Sequence, residues 1–127
     1  NSFDDLRIKY GLTMNEIMFL LYLDKHKSNN TASEIVENLV TTKSHISKSI
    51  DSLAKGNIII RIQDELDKKI IRLYISDTAN DLLDDLRKRE EIINRTITKG
   101  ISSDDLEAFN RVLDQMKKNV YDLINKF

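Results

Sequence analysis

The chain contains no proline, and only three of its 127 residues are glycine. These are the common helix breakers: proline lacks the N–H and clashes with the preceding turn, and ordering glycine costs more backbone entropy. A chain nearly free of both can run in long helices. Its breaks must be sought in polar caps and in changes of hydrophobic period. One stretch leaves the helical period outright. In RIQDELDKKIIRLYIS, residues 61–76, Ile71, Leu73 and Ile75 alternate with Ile70, Arg72 and Tyr74, the period of a strand. Positions 64–68 hold four charges and one leucine. The preceding IIIRIQ is the second strand candidate, so the stretch predicts a β-hairpin inside a helical chain. Its loop has no glycine, and the side chains of Asp64 and Asp67 are expected to shape it by accepting bonds from nearby backbone N–H groups.

The remaining breaks are caps. Residues 2–9 predict a short helix with Phe3, Leu6 and Tyr10 on one side. Thr13 stands three residues before Glu16, the capping-box spacing, and Ile17, Leu20 and Leu21 follow, so a buried helix is expected to end near His26. Thr31 or Ser33 can cap a short helix that turns Ile35, Val36 and Leu39 inward, with Thr41 and Thr42 breaking it. Thr42 then caps a helix over residues 43–55 with Ile46, Ile50 and Leu53 inward, and Gly56-Asn57 supplies a left-handed stop. Two helices separated by two or three residues form a helix-turn-helix layout. Its second helix presents Thr42, Lys43, Ser44, His45, Ser47 and Lys48 outward.

After the hairpin, Ser76 or Thr78 caps a long helix with the stripe Leu82, Leu83, Leu86, Ile93 and Ile97. Residues 100–103 break it, and Ser103 is the expected cap of the last helix. That helix carries Leu106, Phe109, Leu113, Met116, Val120, Leu123 and Phe127, at spacings alternating three and four. This heptad seam wants another helix against it. The first half of the chain already has a core of its own to fill, so a second subunit is expected to cover the seam.

Composition narrows the classes. The length fits one domain, and the 40% hydrophobic content can fill its core. Net charge is −1 overall, yet residues 40–76 carry +3 while the flanking segments carry −2 each, a footprint for a polyanion in the middle third. With no cysteine there is no disulfide framework, thiolate metal site or thiol switch, which is compatible with a reducing cytosol. No apolar run approaches the ~20 residues that cross a membrane, and the start does not resemble a signal peptide. The chain begins at Asn1 rather than a methionine, which leaves room for residues upstream. No Gly-rich phosphate loop, cysteine nucleophile or His-carboxylate cluster points to an enzyme. No metal or other cofactor is expected: the one imidazole besides His45 is His26, in a different element, and residues 64–67 lack the EF-hand glycine and closing glutamate.

A helix, a winged helix-turn-helix and two long C-terminal helices, in that order, resemble the MarR family of bacterial transcriptional regulators. GLTMNEIMFLLYL looks like the family's first winged-helix element, and TASEIVENLVTTKSHISKSIDSLAKGNIIIR like its helix-turn-helix with Leu-x-x-x-Gly. RIQDELDKKIIRLYIS looks like its wing, where the pattern is Asp-x-x-Asp-Arg-Arg and then a strand ending in Leu-Thr. The match runs from about residue 12 to the C-terminus. It departs in four places: Lys68 and Lys69 replace the paired arginines, Ile75-Ser76 the Leu-Thr, and Ala79 a usual glycine, and the N-terminal helix is short. An ammonium suits a narrow minor groove less well than a planar guanidinium, so the wing is expected to hold phosphate more than read bases.

The resemblance implies a single domain over residues 1–127, mainly α with one small β-hairpin wing. Residues 12–76 would form the DNA-binding lobe, and residues 1–11 and 77–127 a helical dimerisation region. It implies a cytoplasmic, homodimeric regulator, a repressor reading a pseudo-palindrome in double-stranded DNA and released by a small ligand or another signal. Thr42, Ser44 and Ser47 are small enough to let the recognition helix sit deep, His45 and Lys48 are longer readers, and Lys43 faces phosphate. In the wing, Arg61, Lys68, Lys69 and Arg72 are candidate DNA contacts, as is Lys55 at the end of the recognition helix. Lys68 or Lys69 would take the minor-groove position. Asp64 belongs to the wing set, and Asp67 holds the tip by pairing with a basic side chain, for which Arg61 is the candidate. Phe3 and Leu6 join the seam residues as the dimer set. Met14, Met18 and Tyr22 lie near the family's effector region, and ordinary core packing is the favoured reading of them. The alternative to DNA binding is a winged helix that grips another protein.

Overall fold

The structure, a computed structural model, describes residues 2–126. Phe127, expected to end the seam, lies outside the described residues. The order is α1 (Asp4–Tyr10), α2 (Met14–Lys25), α3 (Ala32–Leu39), α4 (Lys43–Lys55), β1 (Ile59–Gln63), β2 (Ile71–Ile75), a 3-10 turn (Asp77–Ala79), α5 (Asn80–Thr98) and α6 (Ser103–Lys126).

Caps set these boundaries. Thr13 and Glu16 close a reciprocal capping box on α2, and Thr31 and Glu34 close a second on α3. Each satisfies two backbone donors that a helix start leaves open. Thr42 caps α4 by accepting from the His45 N–H. Several breaks differ from expectation in which residue performs them. Val40, at φ +50°, ends α3 in the left-handed region before the threonine pair is reached. That conformation costs a β-branched residue about 1–2 kcal/mol, and it makes the tight turn into α4. Past α4, Asn57 is the left-handed residue at φ +58°, while Gly56 stays at φ −80°. Ser76 caps the 3-10 turn rather than α5 itself. Ser102, not Ser103, caps α6, accepting from the Asp105 N–H at 3.1 Å.

α2 is the centre of the core. Its consecutive residues Phe19, Leu20, Leu21, Tyr22 and Leu23 are all buried. A helix apolar all round needs neighbours on every side, and α3, α4, β2 and α5 supply them. Ile35, Ile46, Ile50, Leu53, Ile59, Leu73, Leu82 and Leu86 complete the cluster. Each fully buried side chain of this size contributes about 1.5–3 kcal/mol of transfer free energy. Glu16, itself buried, also accepts from Ser52 Oγ at 2.9 Å and so ties α2 to α4.

β1 and β2 pair antiparallel, with Ile59 opposite Ile75 and Arg61 opposite Leu73. Ile59 and Leu73 turn into the lobe and are buried. α5 leaves the hairpin and buries Leu82, Leu83 and Leu86, but its stripe runs out: Ile97 is exposed. α6 buries no side chain at all.

α1 packs on α5, and polar bonds fasten it there. Arg89 donates to both carboxylate oxygens of Asp5 at 2.6 and 2.8 Å, and Lys9 and Tyr10 both donate to Asp85. Phe3 and Leu6, expected at the dimer interface, are 8% and 7% exposed and belong to the chain's own core. The short α1 lies against α5 and its apolar side has already found cover there.

Candidate nucleic-acid interface

The candidate site begins with the start of α4. Burial of Ile46, Ser49, Ile50 and Leu53 fixes which face of that helix turns in. The opposite face, Thr42, Lys43, Ser44, His45, Ser47 and Lys48, is exposed at every position. The six residues therefore share one outward surface, as the sequence predicts. Three of them, Thr42, Ser44 and Ser47, have short side chains, so a polymer can approach the helix closely. His45 has no second imidazole to form a metal pair: His26 sits at the end of α2, stacked on Tyr22 with ring centroids 4.6 Å apart.

The wing turn is built by its aspartates, as their side-chain chemistry predicts. Asp64 Oδ2 accepts from the N–H groups of Leu66 at 3.1 Å and Asp67 at 3.0 Å. Asp67 Oδ1 accepts from the Lys69 N–H at 3.0 Å. Asp64 and Asp67 thus fold the tip and leave Lys68 and Lys69 projecting from it, both exposed. Among the described residues, Lys43, Lys48, Lys68 and Lys69 have no ion-pair partner.

The two arginines are placed differently. Arg61 does not pair with Asp67. Its guanidinium reaches Asp51 on α4 at 2.5 Å. The register explains this: Arg61 lies opposite Leu73 in mid-hairpin, on the face turned to α4, whereas Asp67 is in the tip turn. Arg72 is half-buried and engaged, with Nε donating to Asp64 Oδ1 at 2.8 Å and an Nη to Asn30 Oδ1 at 2.9 Å. The Arg72 guanidinium holds the Asp64 carboxyl below the usual carboxylate range, and Asp64 in turn raises Arg72. Lys55 is exposed at the end of α4.

A second feature is a cleft of about 540 Å³ where α2 and α3 face α5 and α6. Met18, Leu21, Tyr22 and Leu39 give it an apolar floor, and Lys25, Glu90 and Lys117 stand among its polar walls. Met14 packs against the core and Tyr22 is buried within it, as ordinary packing predicts, whereas Met18 is half-exposed and faces the cleft. Across the same junction Arg87 grips Asp24 with two bonds at 2.5 and 2.8 Å, and Lys25 meets Glu90 at 2.6 Å. Asn30, Asp51, Asp24 and Arg87 have no signal in the sequence beyond their polarity. Apart from the Arg87–Asp84 pair within α5, their partners lie between 10 and 63 residues away, where no helical or strand period reaches.

The chain resembles known proteins in two ways. Residues 2–86, about two-thirds of its length, match the family described as transcriptional regulator SarA/Rot. The fold is similar to that of several solved regulators. One is the transcription regulator MarR from Oenococcus oeni, at TM-score 0.77 and 17% identity, covering 90% of this chain and 86% of that one. A second is a MarR protein from Peptoclostridium difficile, at TM-score 0.74 and 20% identity, covering 97% and 80%. A third is S. aureus MepR in a DNA complex, at TM-score 0.66 and 18% identity, covering 94% and 89%. At these identities the likeness is one of fold, and the mainly helical, winged architecture agrees with it.

Proposed function

We propose that this chain, which belongs to the SarA/Rot family of transcriptional regulators, grips double-stranded DNA as a homodimer and represses transcription. The observation that carries this reading is the exposed face of α4 with Lys43 and Lys48, flanked by a wing whose Lys68 and Lys69 lack acidic partners among the described residues. These lysines make residues 40–76 a +3 segment in a chain of net charge −1. Thr42, Ser44 and Ser47 would let α4 enter the major groove, with His45 and Lys48 reaching base edges and Lys43 and Lys55 reaching phosphate. Lys68 and Lys69 would follow the neighbouring minor groove, with Arg61 beside them. Asp64 and Asp67 shape the wing without facing the DNA.

In the same reading residues 12–76 are the DNA-binding lobe and residues 1–11 and 77–127 the dimerisation region. The seam of α6, with Leu106, Phe109, Leu113, Met116, Val120 and Leu123, meets its copy, and the sequence pattern continues to Phe127. Two lobes then address half-sites about one helical turn apart. A small ligand in the cleft above α2 would alter the lobe's seat on α5 and so the spacing of the two α4 helices. The chain works in the cytoplasm beside its operator and performs no chemistry on it.

Duplex binding measured by fluorescence anisotropy against salt tests the reading. Log Kd is expected to rise linearly with log salt, with a slope of about 0.9 per phosphate contact. Replacing both Lys68 and Lys69 by Ala should lower that slope by about 2 per protomer in the complex. No binding to any duplex at about 50 mM salt would replace this reading with a winged helix that grips protein.

A further inference from the structure

We propose that Arg72 is a positioning residue that makes the wing tip and the helix-turn-helix one rigid surface, rather than a contact to phosphate. The proposal rests on the DNA-binding reading for its consequence and on the lobe's own hydrogen bonds for its geometry.

Asn30 is the anchor. It is only 2% exposed, in a loop where most neighbours are open to solvent. Its carbonyl accepts from the Leu73 N–H at 2.9 Å, and its Nδ2 donates to the Leu73 carbonyl at 3.0 Å. Asn30 therefore acts as a one-residue rung on the free edge of β2. Its remaining acceptor, Oδ1, takes the Nη of Arg72 at 2.9 Å. The same guanidinium gives Nε to Asp64 Oδ1 at 2.8 Å and lies 3.9 Å from Glu34, the capping-box residue of α3.

Asp64 carries the constraint to the tip. One of its oxygens is held by Arg72, and the other accepts from the Leu66 and Asp67 N–H groups. Asp67 then fixes the Lys69 N–H. A continuous chain of bonds thus runs from Asn30, next to the Thr31 cap of α3, through Arg72 and Asp64 to the tip backbone that carries Lys68 and Lys69. Arg72 bridging two acceptors in fixed directions needs the planar fork, which an ammonium cannot reproduce. Its charge is answered by Asp64 and, more distantly, by Glu34, so it has little to offer a phosphate. Holding the tip in place before DNA arrives removes the ordering cost from the binding step.

Two measurements on the full chain test this, with Arg72→Gln and Arg72→Lys. In the free protein, amide exchange at Leu66 and Asp67 is expected to quicken about tenfold in both variants while amides of α2 keep their rates. This reading needs no DNA and so stands apart from the question of DNA binding. With duplex, both variants are expected to lose about tenfold in affinity, and the loss should vanish when Lys68 and Lys69 are already alanine, because Arg72 acts through them. Arg72→Lys keeps the charge and most of the stem, so it serves should the glutamine variant fail to fold. Unchanged exchange at the tip, a lysine variant that binds duplex like the parent, or an affinity loss that persists without Lys68 and Lys69 would each overturn the proposal.

Discussion

α2 and α6 both begin on a hydroxyl cap, α2 apolar nearly all round and α6 apolar along one stripe, and α6 is twice as long. α2 has twelve residues and buries seven of them; α6 has twenty-four and buries none. Phe19 on α2 is fully buried, while Phe109, Met116 and Leu123 on α6 are 61%, 57% and 59% exposed within one chain. Periodicity alone ranks α6 the better helix, since its seam is strict. What separates the two is the supply of neighbours. α2 is enclosed by four elements of its own chain, whereas α6 touches α3 and borders the cleft while its seam side chains stay largely exposed. On the proposed reading, a heptad stripe left open on a chain whose core is already closed is where a second copy would dock.

The largest effect that breaks this contrast is at Phe19. Phe19→Ala should cost about 3–5 kcal/mol in urea unfolding at any protein concentration, because it opens a cavity that the lobe cannot fill. Phe109→Ala should leave the unfolding midpoint of dilute protein unchanged and lower it only where the dimer forms. Equal losses at both sites under dilute conditions would mean that α6 is packed within one chain.

Next in size is Met116→Glu. A carboxylate in the middle of the seam should weaken self-association on the order of 100-fold, about 3 kcal/mol, while circular dichroism still reports the helical lobe. Sedimentation that still shows a full dimer would move the interface off α6.

The smallest effect lies at the other end of α5, where α1 is held by exposed ion pairs. Arg89 lowers the Asp5 pKa to about 2. The folded pKa lies below the unfolded value of about 3.9. The stabilisation is therefore complete above about pH 4 and fades as the pH falls toward about 2. Asp5→Asn should remove that acid-dependent loosening of α1, read as amide exchange at Leu6, and leave neutral-pH stability nearly unchanged, since an exposed pair contributes little. An identical acid response in the variant would place the titrating group elsewhere, with Asp85 next in line because Tyr10 and Lys9 lower it too.

Much of this architecture is local and was legible as such. The caps at Thr13, Thr31 and Thr42 depend on residues three apart, and the hairpin depends on a period of two, so the sequence by itself determined six helices, one wing and the outward face of α4. The same holds for Asp64 and Asp67, which fold a turn through their nearest backbone neighbours. Which residue performs a break was less legible: Val40 rather than Thr41 or Thr42 ends α3, Asn57 is the left-handed member of Gly56-Asn57, and Ser102 rather than Ser103 caps α6. Only the tertiary structure decided which partners distant charges take. Arg61 finds Asp51 instead of Asp67, Arg72 turns from the wing surface to Asn30, and Phe3 and Leu6 are covered by their own chain. The physical reason is reach. Caps and periods are fixed by bonds within a few residues, whereas a guanidinium or an apolar face is satisfied by whatever the packed helices and hairpin bring within a few ångströms of it.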